Sequence, residues 1–299
     1  MGRVTEGRNA KSMHIDTMST LEVLELINRE DQQVPKVISD TEVIKSIRAT
    51  VDIIVDCLKN NGRLFYMGAG TSGRLGVLDA AECVPTYGTD PELVQGLIAG
   101  GSEAMLEAVE GAEDSRQKGA EDLKNHNLSS RDFVVGIAAS GTTPYVIGGL
   151  DYAKEIGAHT SALSCNKDSL IGQHAEISIE AVVGPEVVTG STRMKAGTAE
   201  KLILNMISTT SMIKLGKVYG NLMVDVKATN VKLVDRAKRI ICEATGVSKE
   251  DAQKYYEESR HNPKVAIVMI MGNCNYEMAR NILMKNDGFI AKAIKSLNN

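Results

Sequence analysis

RLFYMGAGTSGR, Arg63 to Arg74, decides the fold. An apolar run too short for a helix passes straight into small residues, and a helical pattern follows over Arg74–Ala81, so the stretch reads as strand, loop, helix. Glycines in such a loop let backbone N–H groups approach a ligand, and the start of the helix favours negative charge. Thr71 and Ser72 add hydroxyls, so phosphate is the natural guest, held by Gly70, Thr71 and Ser72. The string also satisfies G-x-G-x-x-G, which brings in a dinucleotide site. That reading wants an acidic residue closing the second strand, and the second strand instead runs out into Ala99-Gly-Gly-Ser-Glu103.

Outward from this unit the same grammar repeats. LVQGLIA (Leu93–Ala99), DFVVGIAA (Asp132–Ala139), HTSALS (His159–Ser164) and EISIEAVV (Glu176–Val183) read as strands. Helical patterns lie between or after them at Ala104–Gly111, Val146–Ile156 and Gly197–Leu215. Strands alternating with helices predict an α/β fold, a parallel sheet covered on both faces. Ahead of it, a cap at Ser19 and apolar residues at Leu21, Leu24 and Ile27, then Val51, Ile54 and Leu58, predict a helical arm. Beyond Tyr219 no further strand is expected. Ala228–Glu243 reads as an amphipathic helix, Ser248-Lys-Glu-Asp251 as a capping box, and Asn262-Pro263, Gly272-Asn273 and Asp287-Gly288 as breaks between short helices. The expected organisation is an N-terminal helical arm (1–54), a sheet domain (55–218) and a small C-terminal helical bundle (219–299).

Composition narrows the function. In 299 residues, 34 Lys and Arg face 38 Asp and Glu, a net charge of −4 with both signs dispersed, which argues against nucleic acid as a partner. Aromatic residues are only 4% and Trp is absent, so an aromatic stacking platform is not expected. The five cysteines are scattered and never spaced C-x-x-C, against a disulfide framework or a zinc site. The N-terminus carries no apolar stretch, and the longest apolar runs, such as Val265–Met271, fall far short of a membrane span, so a cytoplasmic protein without a membrane partner is expected.

Two more loops carry chemistry. In AASGTTPY, Ala138–Tyr145, again between strand and helix, Ser140, Gly141, Thr142 and Thr143 offer a second set of donors. Two such loops at neighbouring strand ends form one cradle, because an open parallel sheet binds ligands beyond the carboxyl ends of its strands. In GPEVVTGSTRMKAGTAEKL, Gly184–Leu202, the hydroxyls of Thr189, Ser191 and Thr192 precede a helix that starts with the cations Arg193 and Lys195. Cations there oppose the helix dipole and need an anionic ligand or a carboxylate partner.

Acid–base work falls to carboxylates, since His14, His126, His159, His174 and His261 lie outside all three loops. Glu82 is bracketed by Ala81, Cys83, Val84 and Pro85, a setting expected to disfavour its charge and suit a general acid. Asp79 reads equally as a structural partner. Glu113, with Glu110 and Asp114 beside it, reads as solvated surface when taken alone.

GAGTSGRLGVLDAAECVPTYG, LIAGG with AVEGAED, GIAASGTTPYVIGGL, GPEVVTGSTRMKAGTAEKL and the opening VTEGRN together resemble the N-acetylmuramic acid 6-phosphate etherases. The likeness runs through nearly the whole chain. It implies the sugar isomerase (SIS) phosphosugar-binding fold, a five-stranded parallel sheet sandwiched by helices, of which the glucokinase regulatory protein is a non-enzymatic relative. It implies cleavage of the lactyl ether to N-acetylglucosamine 6-phosphate and D-lactate in cell-wall recycling, by elimination and then addition of water, without metal or organic cofactor. It assigns Glu82 as proton donor and later activator of water. Glu113 becomes the second catalytic carboxylate, the base at carbon 2. Gly70, Thr71, Ser72, Ser140, Gly141, Thr142, Thr143, Ser191 and Lys195 become the phosphosugar cradle, and a homodimer is implied in which the second subunit completes the site. Val84 stands where a second proline is common, and Thr142 where Arg is also seen. The competing classes are a non-catalytic phosphosugar sensor and a sugar-phosphate isomerase, neither of which would release lactate; a dehydrogenase would hold nicotinamide.

Overall fold

The computed structural model describes residues 2–107, 109–226 and 231–297. The arm begins with three single 3-10 turns between Val4 and Thr17. Helix α1 (Thr20–Asp31) opens on a full capping box, Ser19 accepting from the Glu22 amide while the Glu22 carboxylate accepts from the Ser19 amide. The short α2 (Val34–Ile38) follows, then α3 (Thr41–Lys59), which buries Val43, Ile47, Val51, Ile54 and Leu58 along one stripe.

The sheet comprises β1 (Leu64–Gly68), β2 (Val94–Ile98), β3 (Phe133–Ile137), β4 (His159–Ser164) and β5 (Ile177–Glu180), all parallel, in the order β2-β1-β3-β4-β5. β1 and β3 are buried along their whole length because helices cover both faces. One face carries Phe65, Met67 and Val134 and packs on α6 (Pro144–Glu155), with α5 (Arg116–Asn125) beside α6. The other carries Tyr66 and Ile137, against which Gly76 of α4 (Gly70–Tyr87) lies closely enough that a Cβ there would be 2.9 Å from Tyr66 Cβ. Two elements complete this part, the one-turn α7 (Leu170–Gln173) and the long α8 (Lys195–Lys214). The expected five-stranded parallel sheet sandwiched by helices is the one observed.

The helix expected over Ala104–Gly111 is not formed among the described residues. A 3-10 turn covers Gly101–Met105, another Ala112–Asp114, and the helix comes later as α5. Gly100, Gly101 and Gly111 all have positive φ, which confines any regular helix between them, and Leu106 is left 91% exposed.

The chain divides into two compact units, residues 1–81 with 92–208, and residues 82–91 with 209–299. The second contains a two-rung hairpin of β6 (Val218–Tyr219) and β7 (Leu222–Met223), neither of which the sequence announces because two residues leave no periodicity to read. Helices α9 (Val231–Thr245), α10 (Lys249–Glu258), α11 (Pro263–Met271), α12 (Tyr276–Lys285) and α13 (Ile290–Leu297) follow. α11 is the apolar axis of this bundle, buried from Pro263 to Met269 and touching each of the other four helices. The predicted start of the first bundle helix at Ala228 lies outside the described residues. No helix among those described is long and apolar enough to cross a membrane.

In the first unit a buried ion pair ties the arm to α8. Lys195 Nζ, 3% exposed, lies 2.7 Å from Glu30 Oε2, and Lys11 Nζ and Asn9 Nδ2 each stand 2.8 Å from the same carboxylate. Burial pushes the Glu30 carboxyl upward, but the bonds from Lys11, Lys195 and Asn9 outweigh it and hold the group down to about 2. A depressed carboxyl stabilises the folded state above its ordinary range, so this contribution is complete at neutral pH and is lost as pH falls from about 4.5 to about 2. Glu30→Ala leaves the Lys195 ammonium buried and unpaired, an expected loss of about 3–5 kcal/mol by chemical denaturation at pH 7. A loss below 1 kcal/mol would show that the pair does not hold the arm.

Candidate active site

β1 and β3 are hydrogen-bonded neighbours, Gly68 opposite Ile137, so the loops that follow them emerge side by side. The sheet order places this pair where the chain turns to opposite sides, the crevice in which open parallel sheets bind ligands. The first loop is tight. A Cβ on Gly73 would stand 2.7 Å from the Gly68 carbonyl oxygen, so only glycine lets α4 start directly at the strand end. The amides of Gly70, Thr71 and Ser72 precede the first helical bond, Gly73 N–H to Ala69 O at 3.2 Å, and form the positive end of α4.

In the second loop Gly141 has φ +72°, and a Cβ there would meet Ser169 Cβ at 2.6 Å. Ser140 Oγ accepts from the Thr142 amide and hydroxyl, both at 3.3 Å. Thr143 occupies the N-cap of α6 without using its side chain as a cap, and Pro144 follows. The arm lies across this loop. Asn166, just past β4, accepts from the amides of Val4 (2.7 Å) and Thr5 (3.3 Å), while its Nδ2 donates to the carbonyls of Ala139 (3.0 Å) and Ser140 (3.1 Å). Arg3 Nη1 then reaches Thr142 Oγ1 at 3.1 Å, so a guanidinium stands over the loop at Thr142.

The third segment meets the first loop through α8. Gly197 packs against Thr71, and Ser72 Oγ lies 2.8 Å from Glu200 Oε1. The two cations that needed an explanation have different fates. Lys195 takes the carboxylate partner, Glu30, and Arg193 is exposed. The first amides of α8, those of Lys195 and Ala196, donate to Glu186 Oε2 and Oε1 at 3.1 and 2.9 Å, so Glu186 caps the helix. Burial raises the Glu186 carboxyl, although the two amide bonds oppose the shift. Ser191, half-buried in the turn before α8, gives its amide to the Val188 carbonyl.

Beyond the ends of β1 and β2 lies a cleft of about 360 Å³, lined by Gly70, Arg74, Ala99, Glu107, Glu110 and Glu113 among others. Arg74 Nε donates to the Met105 carbonyl at 3.1 Å and holds the wall of this cleft. Carboxylates thus make one wall of this cleft, and the start of α4 makes another. Glu113 and Gly70 of the first loop line the same cleft. Glu82 is exposed on α4, in the stretch that belongs to the second unit, and Ala81 and Pro85 are exposed with it. The apolar enclosure expected from its sequence neighbours is not built among the described residues, because neighbours along a helix point in different directions. Among the described residues no cluster of three or more His, Cys, Asp or Glu is placed to hold a metal ion.

Sequence reasoning missed Arg3, Glu30, Asn166, Glu186 and Glu200. Glu200 had a legible signal, since it shares the spacing of the buried Ala196, Ile203, Leu204 and Ile207. The others act through contacts distant in sequence. Asn166→Ala removes the acceptor of the Val4 and Thr5 amides, and hydrogen exchange at both is expected to accelerate at least tenfold with β4 unchanged. Unaltered exchange there would mean that Asn166 does not dock the arm.

The family described as glucokinase regulatory protein N-terminal SIS domain matches residues 43–154. The chain is 59% identical over 290 residues to N-acetylmuramic acid 6-phosphate etherase 2 of Lactiplantibacillus plantarum, covering 97% of each. It is 57% identical to the N-acetylmuramic acid 6-phosphate etherase of Exiguobacterium sp., covering 97% of this chain and 98% of the relative. A phosphoheptose isomerase from Francisella tularensis superposes with a TM-score of 0.50 at 13% identity, covering 66% of this chain and 100% of its own, a likeness of fold. With two full-length relatives above half identity and the sheet, loops and cleft in place, the chain belongs to the N-acetylmuramic acid 6-phosphate etherase family.

Proposed function

We infer that the protein is a carbon–oxygen lyase that cleaves the D-lactyl ether of N-acetylmuramic acid 6-phosphate, giving N-acetylglucosamine 6-phosphate and D-lactate. The observation that carries this reading is the similarity to etherases across 97% of the chain, which takes in all three loops and both glutamates. The pair of loops beyond β1 and β3 supports it by offering phosphate amides and hydroxyls, with Arg3 close to Thr142.

An ether oxygen is a poor leaving group, and the reaction must make its departure easy. Opening the ring exposes an aldehyde at carbon 1, which acidifies the hydrogen on carbon 2. Glu113 takes that proton to leave an enolate, from which the carbon 3–oxygen bond then breaks as Glu82 protonates the departing lactate oxygen. Glu82, now a carboxylate, then takes a proton from water as its oxygen adds to carbon 3, and carbon 2 regains a hydrogen. The sum is hydrolysis without oxidation or reduction, so the balance calls for no cofactor beyond water.

In this reading Gly70, Thr71 and Ser72 hold the phosphate with Ser140, Gly141, Thr142 and Thr143, Ser191 borders the site, and Lys195 supports it by fixing the arm to α8. Glu82 is exposed on its own chain and acquires the dry surroundings a general acid needs when a second copy covers it. A homodimer with shared sites is therefore part of the proposal, supported by the exposed Leu21, Leu24, Leu106 and Val188. The enzyme serves recycling of peptidoglycan amino sugars in the cytoplasm.

Purified protein incubated with N-acetylmuramic acid 6-phosphate in oxygen-18 water is expected to yield lactate of natural mass and label at carbon 3 of N-acetylglucosamine 6-phosphate. Saturable binding without lactate would favour a sensor, and label in lactate would place cleavage on the wrong side of the oxygen. Glu82→Gln is expected to cut lactate release by about 10²–10⁴-fold, the usual worth of a general acid. It should keep solvent exchange of the carbon 2 hydrogen. Joint loss of both in a folded variant would reverse the roles assigned to the two glutamates.

A further inference from the structure

Glu200 stands on α8 three residues past Gly197, and its side chain is completely buried. Oε1 lies 2.8 Å from Ser72 Oγ, while Oε2 is buried with no hydrogen-bond partner among the described residues. The Cys165 thiol past β4 feels the charges of both Glu200 and Glu186, the carboxylate ahead of α8, and no cation among the described residues draws the Glu200 carboxyl down. Lys195, at the start of the same helix, is bound to Glu30. A buried carboxylate without a counter-charge is costly enough to give up its charge. Burial pushes the Glu200 carboxyl up to about 8, and the Ser72 bond only partly opposes this.

A neutral carboxyl has one hydrogen to place. On Oε2 it would be a buried donor without an acceptor. On Oε1 it reaches Ser72 Oγ, and only a carbonyl lone pair is left unmet at Oε2. Ser72 also owns a single hydrogen. If Glu200 is ionised, that hydrogen is consumed by the carboxylate, and the serine turns lone pairs toward the loop. If Glu200 is neutral, the serine accepts from it and keeps its own hydrogen for a ligand.

We propose that Glu200 is a positioning residue for phosphate binding: as the neutral acid it donates to Ser72 Oγ and so aims the Ser72 hydroxyl hydrogen at the phosphate of the substrate. The proposal rests on the phosphosugar reading above and adds to it a proton that must be present for the cradle to be complete. Binding and protonation are then linked in both directions. Ligand binds tighter to the protonated site, and a bound ligand holds the proton more firmly.

The test is calorimetric titration of the full chain with N-acetylglucosamine 6-phosphate between pH 7 and pH 9.5, a range in which the ligand phosphate stays a dianion. With the carboxyl at about 8, wild-type affinity is expected to fall roughly tenfold from pH 7 to pH 9. Glu200→Gln keeps an N–H donor for Ser72 Oγ and does not titrate, so its affinity is expected to stay within about twofold over the same range and to match wild type at pH 7. In the unmodified protein the carbon-13 signal of the Glu200 carboxyl should titrate near 8 and move upward when ligand is added, a readout that needs no variant. Affinity equally flat in wild type and in Glu200→Gln, or a Glu200 signal that ligand does not move, overturns the proposal while leaving the phosphosugar reading intact. Absence of binding at every pH overturns both.

Discussion

The structure depends on how closely α4 is allowed to approach the end of β1. With no side chain at Gly68 or Gly73 the helix begins within a few residues of the strand, and its first amides open at the edge of the crevice rather than into protein. Parallel pairing with β3 then sets the second hydroxyl loop alongside. Neither loop has much freedom, because each is bounded by a strand buried along its whole length. In the phosphosugar reading, donors fixed on such elements are preorganised, which is what recognition of an anion in water requires.

Around the first turns of α8, three buried carboxylates are treated in three ways. Glu30 is matched by two lysines and stays charged. Glu186 is spread over two backbone amides at the helix start. Glu200 has neither a cation nor an amide, only one serine. The same residue type thus serves as strut, cap and proton holder, and what distinguishes the roles is the set of donors each meets.

Much of this is legible in the amino-acid sequence. Four of the five strands fall inside the apolar runs read from the sequence and β1 overruns its own only by Gly68, since strands buried on both faces cannot hide among polar residues. The two loops were legible too, because glycine and hydroxyl residues between strand and helix have few other uses. What escaped notice was either too short to show a period, as with Leu222–Met223, or broken by glycines with positive φ, as around Leu106. The buried ion pair could not be read at all, since Glu30 and Lys195 are 165 residues apart. The setting of Glu82 was misjudged by treating sequence neighbours as spatial ones.

The docked arm has a practical side. Val4 and Thr5 are pinned by Asn166 and Arg3 touches Thr142, so position 2 is tethered beside the cradle. A fluorophore attached there would be held close to the second loop, and Gly2 has no neighbour within 4 Å for it to displace. Its emission would then follow occupancy of the loops optically, in a chain that has no tryptophan to compete with the signal.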